Sequence, residues 1–321
     1  MRTILATGGN GFIGSHTCIE LLKQGYRVII LDSLINSSKN VLKKIKKVIS
    51  LDNKQLSENL FFVLGDIRNR ELLEDIFCKE LRNNNKIDAV MHFAGLKSVY
   101  QSFQKPIEYW DVNLGGTLNL LQVIEKYSCS AIVFSSSAAI YSIDSVSPIS
   151  EKDSIDPISP YGKTKEAVEK VLDDFYLANK KRISIADLRY FNPVGAHPSG
   201  FLGEETIGIP SNIFPILNKV AFGEIDKLKI FGNDWDTLDG TGIRDFIHIV
   251  DIAQGHVKAL EHLLNTDAGV LKLNLGTGKG TSVLELINTF MKVNQVNVPY
   301  EFAEKRDGDR GIVFADNSLA L

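Results

Sequence analysis

Cysteine is scarce in this 321-residue chain, which contains only Cys18, Cys78 and Cys129. The number is odd and the spacings are wide, so the sequence shows neither a disulfide framework nor the paired spacing of a zinc knuckle. We therefore expect no metal site, and we expect a protein that works in a reducing compartment such as the cytoplasm.

An excess of one charge is missing too, because 36 Lys and Arg residues stand against 39 Asp and Glu residues and the net charge is -3. A nucleic-acid-binding surface usually carries a strong positive balance, so we expect no nucleic-acid partner.

No apolar run approaches the roughly 20 residues that cross a bilayer. A glycine-rich turn follows Met1 so soon that we also expect no signal peptide and no membrane partner.

Short apolar segments alternate with helix-like patterns through the first part of a chain that is 44% apolar and 23% charged. Strands are expected at 3–6, 27–31, 60–64, 89–93, 131–134 and 182–188. Helices are expected between them, for example at 13–24, 116–125 and 162–175. This alternation predicts an α/β fold, a doubly wound parallel sheet of the Rossmann type.

The pattern changes after about Arg189, where segments 191–215 and 231–242 are rich in Gly, Pro and Asn. We expect residues 1–189 to form the Rossmann domain, and residues 190–321 a smaller α/β domain that binds substrate. Some segments, at about 240–265, are expected to return to the first domain. In open parallel sheets ligands bind beyond the carboxyl ends of the strands, so polar residues there are the first site candidates.

The first strand leads into a turn with Gly8, Gly11 and Gly14 at three-residue spacing. Small residues let the backbone approach a pyrophosphate, and the helix that follows offers unpaired N–H groups at its N-terminus. Asp32 stands 18 residues after Gly14, at the end of the second strand. A carboxylate there accepts ribose hydroxyls and repels a 2′-phosphate, which predicts NAD rather than NADP. Asp66, after the third strand, is a candidate for the adenine edge.

Tyr161 and Lys165 lie four residues apart in a helical segment, and therefore on one face of the helix. A nearby ammonium favours a phenolate, so we expect Lys165 and an oxidised nicotinamide to lower the pKa of Tyr161 from about 10. Tyr161 would then act as a general base near neutral pH. Ser137 ends the preceding strand, where its hydroxyl is placed to orient the reacting proton. The three residues together indicate a hydride-transfer site.

Longer segments carry a family resemblance. They are 7–17, 92–97, 134–138, 159–163, 188–200 and 239–248. On these segments the chain resembles the extended short-chain dehydrogenase/reductase family and, within it, the UDP-glucose 4-epimerases. The resemblance runs from Arg2 to about Asp316, and the stretch from Leu188 to Gly200 is far more specific than a glycine motif.

The resemblance implies NAD as the cofactor and a set of residues that hold it. These are Gly8, Gly11, Phe12, Ile13, Gly14, Asp32, Asn36, Ser37, Asp66, Ile67, Phe93, Ala94, Gly95, Lys97, Asn113, Tyr161, Lys165 and Tyr190. The nucleotide sugar is expected to meet Lys97, Ser137, Phe191, Asn192, Asn212, Phe231, Arg244, Arg306, Asp309 and Val313. Arginines suit a diphosphate, since the guanidinium forms paired charged hydrogen bonds.

The activity implied by the resemblance is that of an isomerase. It interconverts UDP-glucose and UDP-galactose through a bound 4-keto intermediate, with transient hydride transfer to NAD, in galactose and other carbohydrate metabolism. Members of the family are commonly homodimers through helices of the first domain. Relatives usually continue for about one more helix beyond Leu321, the last residue of this chain.

The chain departs from the family pattern at Ser33, where Asn is common, and at Ala139, where Thr is frequent. Val313 is the departure with a functional consequence. Members restricted to glucose and galactose carry a large Tyr at this position, and members that accept N-acetylated sugars carry a small residue. We therefore expect that UDP-N-acetylhexosamines are also accepted.

Two other functions are weighed against this one. A nucleotide-sugar dehydratase shares the glycine turn and the Tyr–Lys pair, but it needs an Asp–Glu pair where this chain has Ala138 and Ala139. A non-catalytic NAD-binding protein has no need for both Tyr161 and Lys165. The sequence favours the epimerase over both.

Overall fold

The computed structural model describes residues 1–179, 182–205, 210, 212–266, 269–306 and 308–321. Its helices are α1 (Phe12–Lys23), α2 (Lys39–Asp52), α3 (Arg70–Arg82), α4 (Val99–Gln104), α5 (Pro106–Tyr109), α6 (Gly116–Lys126), α7 (Pro160–Ala178), α8 (Ile213–Ala221), α9 (Ile249–Asn265) and α10 (Val283–Asn294). Its strands are β1 (Thr3–Thr7), β2 (Arg27–Asp32), β3 (Leu60–Leu64), β4 (Ile87–His92), β5 (Ala131–Ser137), β6 (Ser184–Tyr190), β7 (Asn192–Val194), β8 (Leu228–Phe231), β9 (Ile243–Arg244), β10 (Phe246–His248), β11 (Val270–Leu275), β12 (Thr281–Ser282), β13 (Tyr300–Ala303) and β14 (Ile312–Val313).

Seven strands form one parallel sheet in the order β3-β2-β1-β4-β5-β6-β11. This confirms the doubly wound parallel sheet predicted from the alternation of strands and helices. The chain leaves β1 for one side of the sheet and later returns to the other side at β4. A crevice therefore opens at the carboxyl ends of these two strands, where such folds bind their ligands.

Helices cover both faces of the sheet, because successive strand residues point to opposite sides. Ile4 belongs to the core under α1, α2 and α9, whereas Leu5 belongs to the core under α3, α6 and α7. Both side chains are fully buried. Strands that are covered on both faces need near-continuous apolar runs, and this is the pattern that made them recognisable in the sequence.

The second half of the chain contributes to this sheet as well. Strand β11 pairs with β6, and α9 packs against α1. The returning segment therefore includes a strand beyond the expected 240–265, and the division at residue 189 stays a prediction. The remaining part has its own small hydrophobic core between α8, α10 and β8. None of the described helices is long and apolar enough to cross a membrane.

A buried ion pair joins α7 to β6 behind the end of β5. Arg189 Nη2 lies 2.6 Å from Glu169 Oε2, and Arg189 Nε donates to Glu169 Oε1 at 3.0 Å. The two side chains are 1% and 3% exposed. Burial of charge is tolerated only when each ion is paired and hydrogen-bonded, and this bidentate geometry meets that condition.

Asp187 lies on the same strand and is also fully buried. Neither of its carboxyl oxygens has a hydrogen-bond partner among the described residues. Burial raises its pKa well above the usual value, and the neighbouring Glu169 adds to the rise. Asp187 therefore binds a proton more readily than an exposed carboxyl group, and Lys272 Nζ, which lies 4.0 Å from its Oδ2, opposes this rise in part.

Candidate active site

One cavity of about 510 Å³ opens at the carboxyl ends of the sheet strands, a size that suits a small-molecule site. Most of the predicted site residues line it. They are Gly8, Gly11, Phe12, Ile13, Gly14, Asp32, Asn36, Ser37, Asp66, Ile67, Phe93, Ala94, Gly95, Lys97, Ser137, Tyr161, Lys165, Tyr190, Phe191, Asn192, Asn212, Arg244, Asp309 and Val313. The cofactor and substrate sets, which are scattered over 300 residues of sequence, thus share one cavity.

Three predicted residues lie outside the described wall of this cavity: Asn113, Phe231 and Arg306. Asn113 is buried, and its amide oxygen accepts from the Leu96 N–H at 2.7 Å, so it shapes the loop after β4. The Arg306 guanidinium stacks 4.7 Å above the Phe231 ring and forms an ion pair with Asp309 at 2.8 Å. Phe231 and Arg306 therefore lie beside the rim of the cavity, next to Asp309.

The glycine turn is packed too closely for side chains. Gly8 has a φ of +70°, and a Cβ there would lie 2.6 Å from the backbone nitrogen of Ala94. A Cβ on Gly14 would lie 2.5 Å from the carbonyl oxygen of Gly8. Helix α1 begins directly after Gly11, and its first residues line the cavity, so its N-terminus faces the cavity. This cradle fits a dinucleotide diphosphate.

Asp32 organises the loop after β2. Its carboxylate accepts from the backbone N–H groups of Asn10 at 3.0 Å and Leu34 at 2.8 Å, and from the Ser37 hydroxyl at 2.9 Å. A carboxylate has about four acceptor positions, so one remains for a ligand hydroxyl. Sequence reasoning identified Asp32 and Ser37 but missed Asn10, which ties the glycine turn to this loop.

Tyr161 and Lys165 face the cavity from the first turns of α7. The helix begins at Pro160, and the Ser159 hydroxyl caps it by accepting from the Gly162 N–H at 3.0 Å. Lys165 Nζ donates to the carbonyl oxygen of Ser135 at 2.8 Å and lies 5.8 Å from the centre of the Tyr161 ring. The cap and this hydrogen bond fix both side chains beside the end of β5.

Burial decides the protonation of this pair. It raises the pKa of Tyr161 to about 12, which the Ser137 hydroxyl offsets in part. It lowers the pKa of Lys165 to about 8, which the charge of Glu169 opposes. In the protein without a bound cofactor, burial outweighs the hydrogen bond from Ser137 and keeps the pKa of Tyr161 above 10. The expected lowering by Lys165 together with an oxidised nicotinamide stays a prediction. A further positive charge in the cavity is needed to make the phenol basic.

Glu204 supports two residues of the cavity wall, and sequence reasoning missed it. Its Oε1 accepts from Lys97 Nζ at 3.0 Å and from Asn212 Nδ2 at 2.7 Å, and its side chain is 8% exposed. The Glu204 carboxylate therefore binds two side chains that are predicted to contact the ligand, one from each half of the chain. The surrounding Gly-rich segment has no periodicity, so nothing in the sequence marked this position.

Positive charge lines the end of the cavity away from the glycine turn. Arg244 and Arg310 both contribute to the wall there. Arg244 Nη1 donates to the Ile243 carbonyl at 2.8 Å, and Arg310 Nη1 donates to the Ser142 carbonyl at 2.6 Å. These contacts leave other guanidinium donors for a diphosphate. Arg310 was missed because isolated arginines are usually surface charges.

Among the described residues, no group of His, Cys, Asp or Glu is arranged to hold a metal ion.

Comparisons with known proteins give a consistent picture. Residues 4–276 match the NAD dependent epimerase/dehydratase family. The UDP-glucose 4-epimerase of Bacillus subtilis (strain 168) is 48% identical over 317 residues, which is 99% of this chain and 89% of that protein.

Two solved structures extend the likeness to the fold. The UDP-glucose-4-epimerase of Stenotrophomonas maltophila, with bound NAD and formylated UDP-arabinopyranose, is 43% identical with a TM-score of 0.92, over 100% of this chain and 91% of that one. The UDP-glucose 4-epimerase of Bifidobacterium longum, in complex with NAD+ and UDP, is 44% identical with a TM-score of 0.91, over 99% and 91%.

Proposed function

We propose that this chain, which belongs to the NAD dependent epimerase/dehydratase family, interconverts UDP-glucose and UDP-galactose by inverting the hydroxyl at sugar carbon 4. The observation that carries the proposal is the placement of Tyr161, Lys165 and Ser137 in the same cavity as the glycine cradle. A base, a cation and a hydroxyl at the end of a dinucleotide site are what reversible alcohol oxidation requires.

The wall of the cavity fits NAD. The cradle between Gly8 and Gly14 suits the diphosphate, and Asp32 retains an acceptor for an adenosine ribose hydroxyl while disfavouring a 2′-phosphate. Bound NAD supplies an acceptor and donor of hydride and, when oxidised, a positive charge. That charge is the addition that the phenol of Tyr161 needs, since burial otherwise keeps its pKa at about 12.

Four residues that line the cavity have separate roles in the proposed reaction. Tyr161 removes the proton from the 4-hydroxyl of the sugar, and Ser137 orients that proton by hydrogen bonding. The ammonium of Lys165 stabilises the phenolate that forms. Arg244 holds the nucleotide diphosphate while the 4-keto sugar rotates in the cavity. Tyr161 then returns the proton to the carbonyl oxygen, and the hydride that bound NAD would supply would reach the opposite face of carbon 4.

Dehydration is disfavoured by the same geometry. Ala138 and Ala139 line the cavity directly after Ser137, and neither side chain can donate or accept a proton. Elimination across carbons 5 and 6 needs an acid and a base at that place. We therefore place the chain among the epimerases of its family.

The direct test is an assay with UDP-galactose on the purified protein, together with measurement of its NAD content. We expect UDP-glucose to form without added cofactor, since NAD is regenerated in every cycle. Bound NAD without conversion of either sugar nucleotide would instead identify a binding protein, and formation of a 4-keto-6-deoxy product would identify a dehydratase.

We further propose that the enzyme accepts N-acetylated UDP-sugars. Val313 lies on β14 opposite Arg244 and lines the cavity, where it leaves more space than a tyrosine would. The wild-type protein is expected to convert UDP-N-acetylglucosamine as well as UDP-glucose. V313Y should lower kcat/KM for the N-acetylated substrate by about 10- to 200-fold, as expected when a pocket becomes too small, and change the value for UDP-glucose by less than about threefold.

The matched control is I312Y, because Ile312 is the neighbouring strand residue and is 40% exposed. It adds the same ring on the other side of β14 and should leave both substrates unaffected. Equal loss of both activities in V313Y, or no N-acetylglucosamine turnover in the wild-type protein, would contradict the proposed breadth.

A homodimer is proposed from an apolar surface on the first domain. Tyr100 on α4 is 72% exposed and Ile107 on α5 is 78% exposed, and exposed apolar clusters of this kind mark interaction sites. The wild-type protein should sediment at about twice the chain mass of 35.6 kDa, and the double variant Y100D/I107D at the chain mass. A wild-type monomer would rule the dimer out.

The free Cys18, Cys78 and Cys129 support a location in the cytoplasm. The proposed reaction would serve galactose and other carbohydrate metabolism.

A further inference from the structure

Glu169 lies one helical turn beyond Lys165 on α7, and it is buried and outside the described wall of the cavity. Its Oε1 accepts from the Ser136 hydroxyl at 2.5 Å and from Arg189 Nε at 3.0 Å. Its Oε2 accepts from Arg189 Nη2 at 2.6 Å. The carboxylate is therefore fixed in place by three charge-assisted hydrogen bonds.

These contacts tie Glu169 to the end of β5, where the catalytic groups meet. Ser136 stands between Ser135, whose carbonyl oxygen accepts from Lys165 Nζ at 2.8 Å, and Ser137, which lines the cavity. A hydrogen bond that fixes Ser136 also fixes the carbonyl before it and the hydroxyl after it. Glu169 thus acts on both groups through the strand.

The charge of Glu169 also bears on Lys165 directly, since residues four apart on a helix are neighbours. The Lys165 ammonium is buried and donates a hydrogen bond to a neutral carbonyl group, that of Ser135. An anion one turn away favours its charged form. Glu169 is the group that opposes the effect of burial on the pKa of Lys165.

We propose that Glu169 is a positioning residue that keeps Lys165 charged and holds the end of β5 so that Lys165 and Ser137 face Tyr161 together. This inference rests on the proposed function, because it concerns the same reaction. It adds a buried carboxylate behind the cavity to the groups on which epimerisation depends.

Other ionisable groups surround the pair. They are Tyr161 and Asp173 on α7, His92 on β4, Asp187, Arg189 and Tyr190 on β6, Tyr109 on α5 and Lys272 on β11. Burial lowers the pKa of His92 to about 3, so His92 is neutral at pH 7, and burial raises the pKa of Asp187 well above its usual value. Arg189 forms an ion pair with Glu169, and Glu169 is the anion one helical turn along α7 that favours the charged form of Lys165.

The test is the pH dependence of kcat for NAD-loaded E169Q with saturating UDP-galactose. Gln keeps an acceptor for Ser136 but removes the charge, so the basic limb of the profile should move to lower pH by about one unit. KM should change by less than about twofold, because Glu169 does not reach the cavity. A merely structural contact would lower the melting temperature and leave the limb in place.

The second variant, S136A, keeps the charge and removes one hydrogen bond. We expect its basic limb to coincide with that of the wild-type protein and its kcat to fall about fivefold, the effect of about 1 kcal/mol. It is a small change that also carries the test if E169Q does not fold. An S136A protein with wild-type kcat would overturn the positioning role.

The matched control is E166Q, since Glu166 lies on the same helix and pairs at 2.6 Å with Lys170, which is 72% exposed. The basic limb of the pH profile of E166Q should coincide with that of the wild-type protein. A folded, NAD-loaded E169Q whose limb coincides with that of the wild-type protein would overturn the electrostatic role. Lack of epimerisation by the wild-type protein would instead reject the proposed function, so the two failures are distinguishable.

Discussion

Replacing Tyr161 by Phe is expected to lower kcat by about two to four orders of magnitude, the usual contribution of a general base. The side chain is almost fully buried against the end of β5, so water has little access to replace the lost phenol. Phe preserves the ring, and bound NAD should therefore remain. Single-turnover and steady-state rates with UDP-galactose, measured beside the NAD content, give the result.

Y109F serves as the control for this variant. Tyr109 is also a buried phenol, but its hydroxyl donates to the Ser98 carbonyl at 2.7 Å and lies outside the described cavity wall. It should keep kcat within about threefold. If Y161F kept comparable activity, another group would have to be the base and the proposed mechanism would be wrong.

Replacing Arg189 by Met is expected to produce the largest loss of stability, about 3–5 kcal/mol. The change leaves the Glu169 carboxylate buried beside Ser136, and its remaining ion-pair partner among the described residues is Lys272, whose Nζ lies 3.8 Å from Oε2. A buried charge without a partner lowers the free energy of unfolding by much more than the intact ion pair raises it. Thermal and urea unfolding of proteins with equal NAD content measure the effect.

The double variant E169M/R189M tests this explanation, because it removes both charges and should recover part of the loss. The surface control is R70M. Arg70 pairs with Glu74 at 3.2 Å but is 50% exposed, so its loss should cost less than about 1 kcal/mol. Similar effects of R70M and R189M would show that burial does not make this pair special.

The sheet and the cofactor cradle could be predicted because they depend on local pattern. Apolar runs mark strands that are buried on both faces, and glycines at fixed spacing mark a turn without room for a Cβ. Strand β5 was underestimated by three residues, since the expected strand ended at 134 and the observed one ends at Ser137. Serine hydroxyls look like a loop in sequence, although here they continue the ladder with β6.

Other features depend on where distant segments meet, which no local pattern encodes. The bridge from Glu204 to Lys97 spans 107 residues, and its two ends lie in segments with unrelated patterns. The burial of Tyr161 could not be predicted for a similar reason. Spacing shows that a lysine is near the phenol, but the depth of burial that raises the pKa of this phenol appears only in the folded chain.

The addition of β11 to the edge of β6 determines which pieces of this chain can stand alone. A fragment that ended at residue 189 would lack both β11 and the α9 helix that covers α1. It would present an unpaired backbone edge and a bare apolar helix face to water, the combination that favours intermolecular strand addition. Nucleotide binding and sugar handling in this molecule are thus tied into a single folding unit, and a biosensor or chimera built from it should keep the segment through Leu275.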